Sequence, residues 1–149
     1  MTFTFAYRRY PGSPSRGESG LIYRPSIPLS VSGPKGTAVV MGLLDTGSDL
    51  TLLPSFILGV TGAKYLADES VRIRGVGGQV VTAHYSKLEL ALNKGKRQCR
   101  WPAKVAFLED REVAILGYHG VLEFFHTTFD TEQHRVRLQT NGRFSGLRS

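Results

Sequence analysis

Apolar and polar residues alternate through much of this chain, the period-two pattern of strands with one buried face. In RPSIPLSVSG (24–33), Ile27, Leu29 and Val31 fall on one side. The prolines of that segment confine it to a sheet edge or a strand start. GPKG (33–36) reads as a turn, and TAVVMGLLD (37–45) as a buried strand. Over 70–92 the pattern predicts a long hairpin. Val71 and Ile73 alternate with Arg72 and Arg74, GVGG makes the tip, and Leu88, Leu90 and Leu92 share a face on the return. Residues 93–95 turn the chain into a further strand, KVAFL (104–108). VAILG (113–117) is a short apolar strand, and TTFDTEQHRVRL closes as a hairpin with arms 128–130 and 135–138.

Helical signals are few. PSFILGV (54–60) reads as one turn with Pro54 at its first position. YHGVLEFFH (118–126) reads as one or two turns interrupted by Gly120. FTFAY near the start is an aromatic strand at an edge. PGSPSRGESG (11–20) after it buries little and reads as a flexible loop. Short strands with regularly spaced turns predict a small all-β barrel or sandwich. Residues 1–20 are expected to form an arm and loop, 21–140 one domain, and 141–149 a tail.

Composition narrows the class. At 149 residues and 41% hydrophobic, the chain can bury a core without staples. Its one cysteine, Cys99, permits no internal disulfide. Continuous apolar runs are too short to span a membrane, and MTFTFAYRRY lacks the apolar region of a secretory leader. A cytoplasmic protein with no membrane partner is expected. The net charge of +7 raises nucleic acid as a partner. The charge is dispersed, however. Its densest stretch, KGKRQCRWPAK around Trp101, reads as a solvated hairpin tip, so nucleic acid is not the expected partner.

The chemistry concentrates in LLDTGSDLTLLP (43–54). A strand ending on Leu43 and Leu44 delivers the Asp45 carboxylate to a sharp turn. Gly47 permits backbone conformations closed to other residues, and Thr46 and Ser48 offer hydroxyls. Backbone N–H groups in such a turn hold a carboxylate fixed. An ordinary strand-ending turn uses the same residue types. The apolar runs on both sides weigh against that reading, because surface turns are seldom packed between LL and LTLLP.

This segment resembles the active-site turn of retropepsin-like aspartic proteases, the single-domain relatives of the retroviral enzymes. Two further segments match in order. Gly75, Val76, Gly77, Gly78 and Gln79 resemble the family's glycine-rich flap tip, and Ala114-Ile115-Leu116-Gly117 its apolar strand before a short helix. The likeness covers roughly 27–138, and the chain is similar to short prokaryotic members with an aromatic, basic N-terminus. It implies a small closed β-barrel with a flap hairpin and one short C-terminal helix. It implies hydrolysis of peptide bonds by a water held between two aspartates, with no metal or other cofactor.

By position, Asp45 is then the catalytic carboxylate, and Thr46 bonds across a two-fold axis. Gly47 turns its carbonyl to the substrate, Ser48 supports the carboxylate, and Asp49 binds substrate or buttresses the dimer. Residues 75–79 close over a peptide, and Val76 and Ile115 line pockets.

The remaining aspartates are Asp49, Asp68, Asp110 and Asp130, and none begins a second Asp-Thr/Ser-Gly turn. The family reading therefore requires a homodimer acting on a peptide or protein substrate, with one Asp45 from each copy. The chain departs from the family at Tyr118, where many relatives carry an arginine that pairs with the aspartate at the position of Asp49. That departure raises an alternative, a catalytically weak or inactive dimeric peptide-binding module. His84, His119, His126 and His134 form no metal-ligand spacing. Cys99, though set among cations that favour a reactive thiolate, has no paired histidine. GVGG lacks the helix and lysine of a phosphate loop. Phe124, Phe125 and Phe129 are expected in the core.

Overall fold

A computed structural model describes residues 1–17, 19–109 and 112–149. The chain starts with β1 (Thr2–Ala6), followed by a small hairpin, β2 (Arg8–Pro11) with β3 (Leu21–Arg24), which brackets the Pro/Gly/Ser loop. Then come β4 (Ser26–Gly33), β5 (Gly36–Leu44), β6 (Leu52–Pro54) and the helix α1 (Phe56–Thr61). The long hairpin follows as β7 (Ser70–Arg74) and β8 (Val80–Lys94). After it run β9 (Arg97–Leu108), β10 (Ala114–Leu116), β11 (Phe125–Asp130), β12 (Arg135–Thr140) and β13 (Leu147–Arg148).

Six strands close a barrel in the order β9, β6, β10, β5, β4 and β8, with β8 returning to β9. The fold is all-β, as the alternation predicts. Side chains of β9 show why. Cys99, Trp101, Ala103 and Val105 point inward, while Arg100, Pro102 and Lys104 between them are exposed. Trp101 is 2% exposed, and its indole N–H donates to the Gly120 carbonyl at 2.8 Å, so its polar atom is satisfied inside the core. Trp101 therefore serves packing and does not interleave with the cations around it. Of the two places expected for the prolines of 24–33, an edge or a strand start, the edge does not apply, since β5 and β8 flank β4, while Pro25 directly precedes the strand. Its pairing with β8 covers only Ser30 to Ser32, so Pro28 sits where no second partner needs its missing N–H.

A second sheet, β1–β12–β11, packs on the barrel through the shared core. Phe3, Phe5, Val136 and Leu138 from it join the main core, as does Phe125, while Phe124 and Phe129 pack against that core. Lys94 donates to the Thr4 carbonyl, and Arg97 to that of Thr2 at 3.0 Å. The tip of the β8–β9 hairpin thus caps the outer edge of β1.

The expected C-terminal helix over 118–126 is instead a bridge residue, His119, followed by a single 3-10 turn, Leu122–Phe124. Gly120 sits at φ +94°, outside helical space, and Phe125 is already extended, which leaves no room for an α-helical repeat. The one α-helix among the described residues is α1, where PSFILGV predicts a turn. No helix is long and apolar enough to cross a membrane.

Candidate active site

The site begins with a strand that arrives from elsewhere in the sequence. β10 lies between β5, which it pairs in parallel, and β6, which it pairs antiparallel. Ile115 is registered with Leu43 on one side and Leu52 on the other. Past the end of β5, the Asp45 N–H donates to the Leu116 carbonyl at 3.1 Å, which ties the turn to β10. The Ser48 N–H closes the turn onto the Asp45 carbonyl at 3.2 Å. The Gly47 N–H donates to Asp45 Oδ1 at 2.9 Å and fixes how the carboxylate points.

The outgoing segment is held as firmly. Tyr118 N–H donates to the Ser48 carbonyl and His119 N–H to that of Asp49, both at 2.9 Å. The Thr51 hydroxyl accepts the Gly117 N–H at 3.2 Å. Gly117 lies so close to this segment that a Cβ there would be 2.2 Å from the Leu50 carbonyl oxygen and 2.6 Å from that of Ser48. The I-L-G glycine is therefore a packing requirement of the Asp45 turn. The Ser48 hydroxyl donates to the Leu50 carbonyl at 2.7 Å, bracing the turn through the backbone.

A groove of about 960 Å³ runs between this turn and the hairpin β7–β8. Asp45, Gly47, Ser48 and Asp49 line one wall, Gly75, Val76 and Gln79 the other, and Ile115 lies with them. The sequence-predicted residues thus meet around one space, with three exceptions. Thr46 is exposed beside the groove without lining it, and Gly77 and Gly78 sit at the hairpin apex. The tip itself is held by two backbone bonds, Gly75 N–H to Gln79 at 2.9 Å and Gly78 N–H to Gly75 at 3.1 Å. Val76 is fully exposed. Under the hairpin a small apolar cluster of Leu52, Ala83, Ala106 and Leu108 forms, with Val71, Ile73, Tyr85 and Ile115 packed on it.

No family model matches this chain. No curated protein matches it either. Among solved structures it is similar to EIAV protease complexed with the inhibitor HBY-793, at 24% identity and a TM-score of 0.40, over 63% of this chain and 81% of that one.

Some residues of the site carry no signal in the sequence. Thr51 looks like one of several strand threonines, and only the fold brings its hydroxyl to Gly117. His119 lines the groove too, with Nδ1 3.9 Å from the Glu123 carboxylate. Tyr118 is 43% exposed, and its hydroxyl accepts from Arg143 Nη1 at 3.1 Å. An arginine of the C-terminal tail therefore engages Tyr118. Among the described residues Asp49 has no ion-pair partner. Asp68 and Asp130 lie away from the groove, and Asp110 is outside the described residues.

Cys99 is fully buried, and burial pushes its thiol up to about 11. The surrounding cations do not make it reactive. No group of three or more His, Cys, Asp or Glu among the described residues is placed to hold a metal.

Proposed function

We propose that this chain is an aspartic endopeptidase of the retropepsin type, active as a homodimer with one Asp45 from each copy. The observation that carries the reading is the Asp45 turn itself. Its carboxylate is oriented by the Gly47 N–H and opens on a peptide-sized groove roofed by a glycine-tipped hairpin. One chain supplies one such turn, so the site is completed by a second copy.

The chemistry follows the known pattern of aspartic proteases. Two carboxylates about 3 Å apart cannot both ionise and share one proton. The ionised one takes a proton from a water, whose oxygen attacks the scissile carbonyl, while the other protonates the carbonyl oxygen. The amide nitrogen then leaves with a proton. The flap at residues 75–79 excludes bulk water during these steps.

Asp45→Asn tests this directly. It should retain the wild-type melting temperature and lose kcat/KM by about 10³-fold or more on a peptide library. Sedimentation should show a dimer under assay conditions. Wild-type cleavage by Asp45→Asn, or full activity in a strict monomer, overturns the proposal.

The pairing of Tyr118 with Arg143, and Asp49 without an ion-pair partner among the described residues, favour a second reading in which the dimer binds peptides without cleaving them. It predicts saturable peptide binding by the wild-type protein with no turnover between acid and neutral pH.

A further inference from the structure

The outer strand of the hairpin has a free edge on the groove. Among the described residues β7 pairs with β8 alone. The ladder settles which residues face outward. Gly75 N–H bonds Gln79, and Tyr85 N–H bonds Glu69 at 3.1 Å, so the hydrogen-bonded pairs fall at Glu69–Tyr85, Val71–Ala83, Ile73–Val81 and Gly75–Gln79. Ser70, Arg72 and Arg74 lie between them, and their N–H and C=O groups point away from β8.

Arg72 and Arg74 also line the groove that holds Asp45. Both are exposed, and no carboxylate among the described residues pairs with either. Their cross-strand neighbours are Thr82 and Val80, which carry no charge. Val71 and Ile73 face the other way and pack on the apolar cluster with Leu52, Leu108 and Ile115. The strand thus presents open backbone groups, two arginines whose Cα positions are about 7 Å apart along one face and which have no carboxylate partner among the described residues, and an apolar face behind them.

We propose that the groove takes an extended peptide paired along β7, with acidic side chains at alternate positions opposite Arg72 and Arg74 and apolar side chains between them. This rests on the reading of the groove as a peptide site. Residues directly opposite in a ladder share a face, so a strand added at this edge sets its alternate side chains against the two arginines. The residues between them fall on the apolar side. Acidic groups at the cleaved bond would meet Asp45 and Asp49, so that position takes apolar residues. A nucleic-acid strand would satisfy the guanidinium groups yet leave the open edge and the apolar cluster without partners.

The test uses one peptide frame with fixed apolar residues and Glu, Gln or Lys at two alternate positions. Binding is read by fluorescence anisotropy on Asp45→Asn and cleavage on the wild type. Opposite-charge cross-strand pairs predict that the Glu peptide binds about three- to tenfold more tightly than the Gln peptide. The Lys peptide binds weakest. Arg72→Gln/Arg74→Gln should bring the Glu/Gln ratio to one, and Arg72→Glu/Arg74→Glu should invert it toward Lys. Arg137→Gln, elsewhere on the surface, should leave the ratio unchanged. Circular dichroism melts confirm that each variant is folded.

Equal binding of Glu and Gln peptides, or a preference that survives Arg72→Gln/Arg74→Gln, overturns the proposal. So does an oligonucleotide that displaces the peptide through these two arginines at lower concentration. Glu-selective binding without any cleavage supports this proposal and removes the protease reading. Cleavage without Glu selectivity does the reverse.

Discussion

The two walls of the groove are built in opposite ways. The Asp45 turn is held by backbone bonds from β10 and from residues 118 and 119, with Gly117 packed directly against its carbonyls. The tip of the β7–β8 hairpin, the proposed flap, has two backbone bonds of its own, and Val76 touches solvent throughout. A wall that positions a carboxylate needs geometry fixed before substrate arrives. A wall that closes over a peptide must have conformations to choose from. The contrast predicts that glycines on the two sides respond very differently to the same methyl group.

Gly117→Ala should have the largest effect. Its Cβ would strike two backbone carbonyls, which cannot move without displacing the Asp45 turn. We expect a loss of about 3 kcal/mol of stability, measured by urea denaturation, together with loss of peptide binding. Near-wild-type stability would show that the floor yields as readily as the flap, and the contrast would dissolve.

Thr51→Val probes the same wall more gently. It keeps the volume and removes the acceptor of the Gly117 N–H, in a residue only 2% exposed. A buried N–H left unpaired costs about 1–3 kcal/mol. The expected loss is about 2 kcal/mol by urea titration, with slower cleavage because the Asp45 turn loses one restraint. Thr51→Ser, which restores the acceptor, should recover most of both.

Part of this contrast is legible in the residues. The Asp45 turn, the hairpin over 70–92 and the I-L-G strand announce themselves because each joins an apolar run or a period-two apolar pattern to turn residues. The parallel pairing of β10 with β5 is silent, because Ala114, Ile115 and Leu116 would read the same as any buried strand. Thr51 and Arg143 act through partners 66 and 25 residues away, and local pattern carries no trace of such distances. The one or two turns expected over 118–126, interrupted at Gly120, reduce to the 3-10 turn Leu122–Phe124 for a local reason. The apolar spacing suits a helix, but Gly120 takes positive φ so that Trp101 can donate to its carbonyl. Tertiary packing overrides propensity there.

The smallest effect should come from the flap. A Cβ at Gly78 meets nothing within 4 Å, so the methyl group finds space. Its cost is conformational, since φ is +83°, and amounts to about 1 kcal/mol if the tip keeps its shape. The tip is free to reshape, so the measured loss in urea should fall at or below that value. Gly78→Ala should still slow cleavage by raising KM, because a reshaped tip presents Val76 differently to a bound peptide. That split, a nearly unchanged fold with an altered KM, is what separates a lid from a floor. A Gly78→Ala protein as destabilised as Gly117→Ala would mean that the tip is packed against something, which a fully exposed Val76 argues against.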